Sequence, residues 1–250
     1  DVITTNSYAI VPFHIGKDRF EKEGKDLLIR AGNIAKEAVK LYKKEIKIAA
    51  SIPPVLGSYK PDVFNSEKAI PILEIFKNNL IQYCDLILAE TLSSIDEIKT
   101  IQRVFGDCKM PFWISLTIED EYYNIPKLRS GEEIVTALRK INFNKISSVL
   151  FNCSQPEVMA KAIKVAKNLV PENTSLGVYA NAFQPIKIGQ RDANSQIRNT
   201  RQELTPEKYF DFVKEWNELE VDIIGGCCGI GPEHIKRICD FKKDTINHNT

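Results

Sequence analysis

"SVLFNCSQPEVMAKAIKVAKNLVPENTSLGVYAN", Ser148 to Asn181, decides the fold. It opens on a short β-rich apolar run, "SVLFNCS", and closes on another, "LGVYAN". Between them Pro156 stands where a first helical turn tolerates proline. Met159, Ile163 and Ala166 then fall on one helical face, which reads as core. The turn into the second run, "VPENT" from Val170, is short. Two strands joined through a helix run parallel, so this stretch is a βαβ unit.

The unit recurs along the chain. Strand-like runs also begin at Asp1 ("DVITTNS"), Ile46 ("IKIAASI"), Asp85 ("DLILAET"), Pro111 ("PFWISLT") and Asp222 ("DIIGGCC"). Pro206 and Pro232 mark further helix starts, and Ser94 with Glu97 has capping-box spacing. Tyr209, Val213 and Trp216 form a second apolar stripe. The loops leaving strands are long (Tyr8 to Phe20, Pro53 to Glu67, Ala182 to Leu204), whereas those entering, such as "GDCKM" from Gly106, are short. That asymmetry predicts a (βα)8 TIM barrel with its site on the C-terminal face. A doubly wound open sheet is the rival, but no G-x-G-x-x-G follows an early strand. Seven strand runs are visible where a closed barrel needs eight, and the first begins at Asp1. The expectation is a barrel whose first βα unit is missing from this sequence. One domain is expected over residues 1–243, with a frayed polar tail at 244–250.

Composition excludes several classes. The 250 residues carry 34 Lys+Arg against 33 Asp+Glu, so a net charge of +1 gives no electrostatic case for nucleic acid or an anionic membrane. No apolar run approaches the ~18 residues of a spanning helix. The start, "DVITTNSYAI", lacks the basic-then-apolar layout of a signal peptide. Six scattered cysteines are too few for a disulfide scaffold and point to a reducing, cytoplasmic compartment with free or metal-bound thiols.

Cys153 ends one strand run and the vicinal pair Cys227 and Cys228 ends the last. By strand alternation Val149, Phe151 and Cys153 share a face. For both vicinal thiols to reach one centre the backbone must turn, and Gly225, Gly226 and Gly229 supply that freedom. With only one strand between them, the two cysteine strands can bring three sulfurs to one point. Three thiolates suit Zn²⁺ and leave a fourth position open for a substrate thiol. A glycine cradle for phosphate and a vicinal disulfide are the competing readings. Cys84, Cys108 and Cys239 read as buried small hydrophobes.

In chain order, "DVITTNSY", "AETLSSIDE", "SLT", "FNCS", "GVYANAF" and "GGCCGIGPEHI" resemble the homocysteine S-methyltransferase family. The resemblance implies a zinc-dependent (βα)8 barrel that methylates homocysteine to methionine, with Cys153, Cys227 and Cys228 as the zinc ligands. It places Glu90 on the substrate's amino group, with Thr5 lining the amino-acid pocket. Members carry an Asp-Gly-Gly segment on a first strand, and none is found here. The chain ends soon after its last helix, which favours a sulfonium donor, S-methylmethionine or S-adenosylmethionine. Asn181 is a candidate oxygen for zinc when substrate is absent, against the plainer reading of a turn residue. Arg191, Arg198 and Arg201 are candidates to cover the donor, against a solvated loop. His14 and His234 read as incidental. The alternative function is a metal-free barrel serving as a binding module.

Overall fold

The computed structural model describes residues 1–42, 44–185 and 199–248, without the side chains of 243–248. Each expected strand run overlaps one strand: β1 (Val2–Thr4), β2 (Lys47–Ile52), β3 (Leu86–Leu92), β4 (Phe112–Leu116), β5 (Ser148–Asn152), β6 (Ser175–Tyr179) and β7 (Ile223–Ile224). All pair in parallel, and spatial order equals chain order from β1 to β7. Helices fill the crossovers: α1 (Pro12–Ile15), α2 (Lys17–Tyr42), α3 (Ser66–Asn79), α4 (Ile95–Phe105), α5 (Ile134–Leu138), α6 (Pro156–Lys167), α7 (Pro206–Glu218) and α8 (Pro232–His248). The polar stretch from Asp244 to His248 thus continues α8. β7 is shorter than its sequence run, so Cys227 and Cys228 lie in the turn beyond it. No described helix is long and apolar enough to cross a membrane.

The helices begin where local chemistry sets them. Pro156 and Pro206 open α6 and α7, and Thr205 caps α7 by accepting from the Lys208 amide at 3.3 Å. Ser94 caps α4 by accepting from the Glu97 amide at 3.2 Å. The return contact differs from the simple capping box, because Glu97 accepts from the amide and hydroxyl of Ser93, one residue before the cap. Met159, Ile163 and Ala166 are buried on α6, as are Tyr209, Val213 and Trp216 on α7.

Strand alternation sorts the sheet into two faces. Ala50, Ile52, Ile87, Ala89, Val149 and Phe151 join the main core with the helices. The opposite face carries a smaller cluster of Ala49, Leu86, Leu88, Leu150 and Tyr179, with Trp113, Ile223 and Cys227 packed on it. Continuing that inner face towards the C-terminal strand ends replaces apolar residues with polar ones: Ser51 on β2, Glu90 on β3, Ser115 on β4 and Asn152 on β5, all buried. Of the lone cysteines, Cys84 and Cys108 are half-buried against the main core. Burial pushes the Cys84 thiol up to about 12. Cys239 departs from expectation: it is exposed on α8 and fills no core position.

Glu97 makes a test of the buried capping carboxylate. Burial raises its pKa from 4.5 to about 7, against the hydrogen bonds from Ser93 and Ser94. The folded state therefore binds the proton more tightly than the unfolded chain does. Its stabilisation is complete below pH ~4.5 and is lost as pH rises through about 7, by ~3 kcal/mol. Glu97→Gln keeps an acceptor for Ser93 and never ionises. Thermal melts from pH 5 to 8 should show a flatter profile for this variant, with the variant the more stable at pH 8. Parallel profiles would remove Glu97 as the cause.

Candidate metal and substrate site

The structure brings Cys153, Cys227 and Cys228 together at the C-terminal ends of β5 and β7. Their sulfurs are 3.1 Å apart for Cys153–Cys227, 3.7 Å for Cys153–Cys228 and 3.9 Å for Cys227–Cys228. Among the described residues they are the only His, Cys, Asp or Glu group that could hold a metal ion, and all are free thiols. No vicinal disulfide forms. Tetrahedral Zn²⁺ with bonds of ~2.3 Å to sulfur has sulfur–sulfur edges of ~3.8 Å. Two of the three separations match such an edge and the third is shorter, so the donor set fits the ion. Cys153 is buried while Cys228 is exposed, which leaves one side of the cluster open.

Alternation alone does not produce this convergence. Val149 and Phe151 face the helices, yet Cys153 packs with Tyr59 and Cys227. The shared face expected for these three residues is therefore wrong. Cys153 leaves the strand with φ +52°, a left-handed backbone that turns its thiol to the other side. On the second arm Gly229 takes φ +79°, and Gly226 has no room for a side chain: a Cβ there would collide with Ile230 Cγ2. The Cys227 carbonyl accepts from the Ile230 amide at 3.1 Å, closing the turn that presents both vicinal thiols.

Hydrogen bonds from Cys227 and Cys228 draw the Cys153 thiol well below its ordinary pKa, against the cost of burial. The same bonds push Cys227 well up and Cys228 up to about 12. The cluster by itself thus favours one thiolate receiving two S–H groups. Three thiolates at these distances require a cation.

Glu90 stands at the end of β3 on the inner face. Its carboxylate accepts from Ser51 Oγ at 2.5 Å and from the Tyr179 hydroxyl at 3.3 Å. Burial raises its pKa to about 7; the Ser51 bond opposes this, and the negative charge at Cys153 adds to it. A bulge follows: the β3–β4 register shifts between Ala89 and Leu92, and Thr91 takes φ +62°. Asn152 holds that bulge. Its Oδ1 accepts from the Thr91 amide at 2.9 Å and from Ser115 Oγ at 2.8 Å, and its Nδ2 donates to Thr91 Oγ1 at 2.9 Å. Left-handed backbone at Thr91 and Cys153 costs roughly 1–3 kcal/mol each and is typical of functional sites.

The remaining candidates fall out differently. Thr5 is buried, and its Oγ1 accepts at 3.1 Å from the amide of Ser51, the same residue whose hydroxyl donates to Glu90. Asn181 hydrogen-bonds Cys153, but its oxygen already accepts from Gln155 Nε2 at 3.1 Å and the Phe183 amide at 3.2 Å. It is therefore oriented by Gln155 rather than offered to a metal. Arg201 is engaged with Glu157, Glu203 and Gln155, which makes it a clamp on the start of α6. Arg191 and Arg198 lie outside the described residues. The His14 ring packs on Phe13 and Tyr8, with centroids 5.1 and 6.3 Å away. His234 sits in the first turn of α8, its Nε2 3.0 Å from the Leu204 carbonyl oxygen. Sequence reasoning missed Ser51, Tyr179, Asn152 and Tyr59. The first three could have been found as polar residues on the inner-face alternation, and Tyr59 gave no signal.

A parallel βα sheet ending in three converging thiols beside a buried carboxylate defines a barrel-type enzyme scaffold with a site able to hold a metal. The chain belongs to the homocysteine S-methyltransferase family, whose model matches residues 1–241. It is 26% identical to a betaine-homocysteine S-methyltransferase of Drosophila melanogaster, over 95% of this chain and 78% of that protein. It is 25% identical to homocysteine S-methyltransferase 1 of Brassica oleracea var. italica, over 97% of this chain and 79% of the relative. In fold it resembles the metallated form of the homocysteine methyltransferase MmuM from Escherichia coli, with a TM-score of 0.74, 19% identity, and coverage of 94% of this chain and 77% of that one.

Proposed function

We propose that this chain is a zinc-dependent methyltransferase that moves a methyl group from a sulfonium donor, S-methylmethionine or S-adenosylmethionine, to the homocysteine thiol, giving methionine. The observation carrying this reading is the convergence of the Cys153, Cys227 and Cys228 sulfurs within 4.8 Å of one another. These three residues hold the zinc. When bound, zinc supplies positive charge against which the substrate thiol stays ionised near neutrality, where a free thiol of pKa ~8.5 is mostly protonated.

The chain's own residues do the rest. Glu90, ionised, receives the homocysteine ammonium group; Ser51 and Tyr179 hold its carboxylate in place. Thr5 orders the β2 end behind Ser51. The substrate thiol loses its proton to solvent, and its sulfur attacks the donor's methyl carbon. The carbon–sulfonium bond breaks with its electron pair going to the departing neutral thioether. Such a displacement needs alignment more than acid–base help.

One homocysteine-binding barrel domain accounts for residues 1–243. An eighth strand between β7 and β1 would close the sheet; both edge strands are partly exposed, which supports that placement. Three thiols that must stay reduced fit a cytoplasmic setting. A metal-free binding module gives no reason for three thiols to meet.

The test is elemental mass spectrometry of protein purified without chelators, followed by assays with homocysteine and each sulfonium donor. About one zinc per chain and methionine formed from at least one donor is the expected result. Absence of zinc after reconstitution, or zinc without methyl transfer from either donor, would overturn it.

A further inference from the structure

Cys153 is the one cluster thiol whose backbone is left-handed, and its carbonyl oxygen gathers three donors: the Tyr59 hydroxyl at 3.3 Å, Thr117 Oγ1 at 3.3 Å and an Arg129 terminal nitrogen at 3.5 Å. Arg129 ties them together. Its side chain is 0% exposed, its two terminal nitrogens donate to Asp120 at 3.1 and 2.9 Å, and Glu119 lies 3.8 Å away. Its Nε reaches Thr117 Oγ1 at 3.4 Å, and the guanidinium sits 5.2 Å from the centre of the Tyr59 ring. Asp120 also accepts from the Gln155 amide at 3.0 Å, so the same carboxylate anchors the guanidinium and the chain two residues beyond Cys153. A buried, planar fork of donors suits this task in a way a lysine does not.

Resting on the zinc reading above, we infer that Arg129 is a positioning residue: clamped by Asp120, it fixes the turned backbone at Cys153 and so aims that thiol at Cys227 and Cys228. It touches neither substrate nor metal. Groups that orient a ligand from behind are commonly worth 10–100-fold in metal affinity.

The test compares zinc affinity, by competition with a chromophoric chelator, and amide hydrogen exchange across residues 150–156 in the metal-free protein. Arg129→Lys keeps the charge and loses the fork. It should bind zinc ~10–100-fold more weakly and exchange at least ~10-fold faster around Cys153. The pair Tyr59→Phe with Thr117→Val removes two donors without stranding a charge and should move both readouts the same way. Phe105→Leu, in the core at the end of α4 against Phe112 where β4 begins, is the control: it lowers the melting temperature and leaves both readouts unchanged. Wild-type affinity and exchange in a folded Arg129→Lys would overturn the assignment, as would equal losses in the control. Should Arg129→Lys not fold, the double variant decides on the same terms. Failure of the zinc reading shows separately, as a wild-type protein that takes up no zinc, and the exchange measurement then still decides the role of Arg129.

Discussion

Cys228→Ser is expected to reduce bound zinc from about one per chain to a small fraction and to slow homocysteine methylation by at least ~100-fold, more than the loss of a supporting residue. Serine does not ionise near neutrality, so two thiolates would face the cation where three had. The position suits the experiment because Cys228 is exposed and lies in the turn beyond β7, outside the main core. The metal-free variant should therefore melt close to the wild type, since exposed substitutions usually change stability by under ~0.5 kcal/mol. Zinc content by elemental analysis and methionine formation should fall together. Retention of both would mean the three sulfurs do not form the working site.

Glu90→Gln separates binding from stability, with opposite signs. With its pKa raised to about 7, the folded protein pays nothing for this carboxyl when protonated and loses stability as pH rises through that value. At pH 8 the substrate-free variant should be more stable than the wild type by up to ~3 kcal/mol. Homocysteine, however, would meet an amide in place of a carboxylate. Removing one partner of a buried charged pair costs ~2–5 kcal/mol, so the KM for homocysteine should rise by a factor of ~30 or more. Melting at pH 8 and initial rates across homocysteine concentration check the two halves. A variant that gains stability while keeping its KM would leave Glu90 without a substrate role.

The parts of the fold that depend on periodicity were legible. Apolar runs located all seven strands, and proline at helix starts located α6, α7 and α8. The cysteine convergence was legible only as a possibility of strand order, and its geometry was not. Alternation put Cys153 with Val149 and Phe151, because a period of two carries no sign of a single left-handed residue. The same limit hid Asn152: its worth lies in holding Thr91, 61 positions earlier in the chain. Arg129 and Tyr59 escaped for a similar reason. They come from loops after different strands, and nothing local in either loop marks a meeting around one carbonyl group. Cys239 failed in the opposite way, since a small apolar residue on a helix was taken as buried and proved exposed.

The chain-ordered sheet has a consequence for synthesis. Each strand docks on the one made just before it, so pairing can follow emergence from the ribosome with short loop closures throughout. The thiol cluster departs from this economy of distance: Cys153 and Cys228 are 75 residues apart and meet only once β7 has joined β6. A nascent chain that has reached Glu220 carries one of the three sulfurs and no metal-binding geometry. A nascent chain that ends before Cys227 is therefore unable to sequester zinc through this cluster, and loading belongs to a sheet that has reached β7.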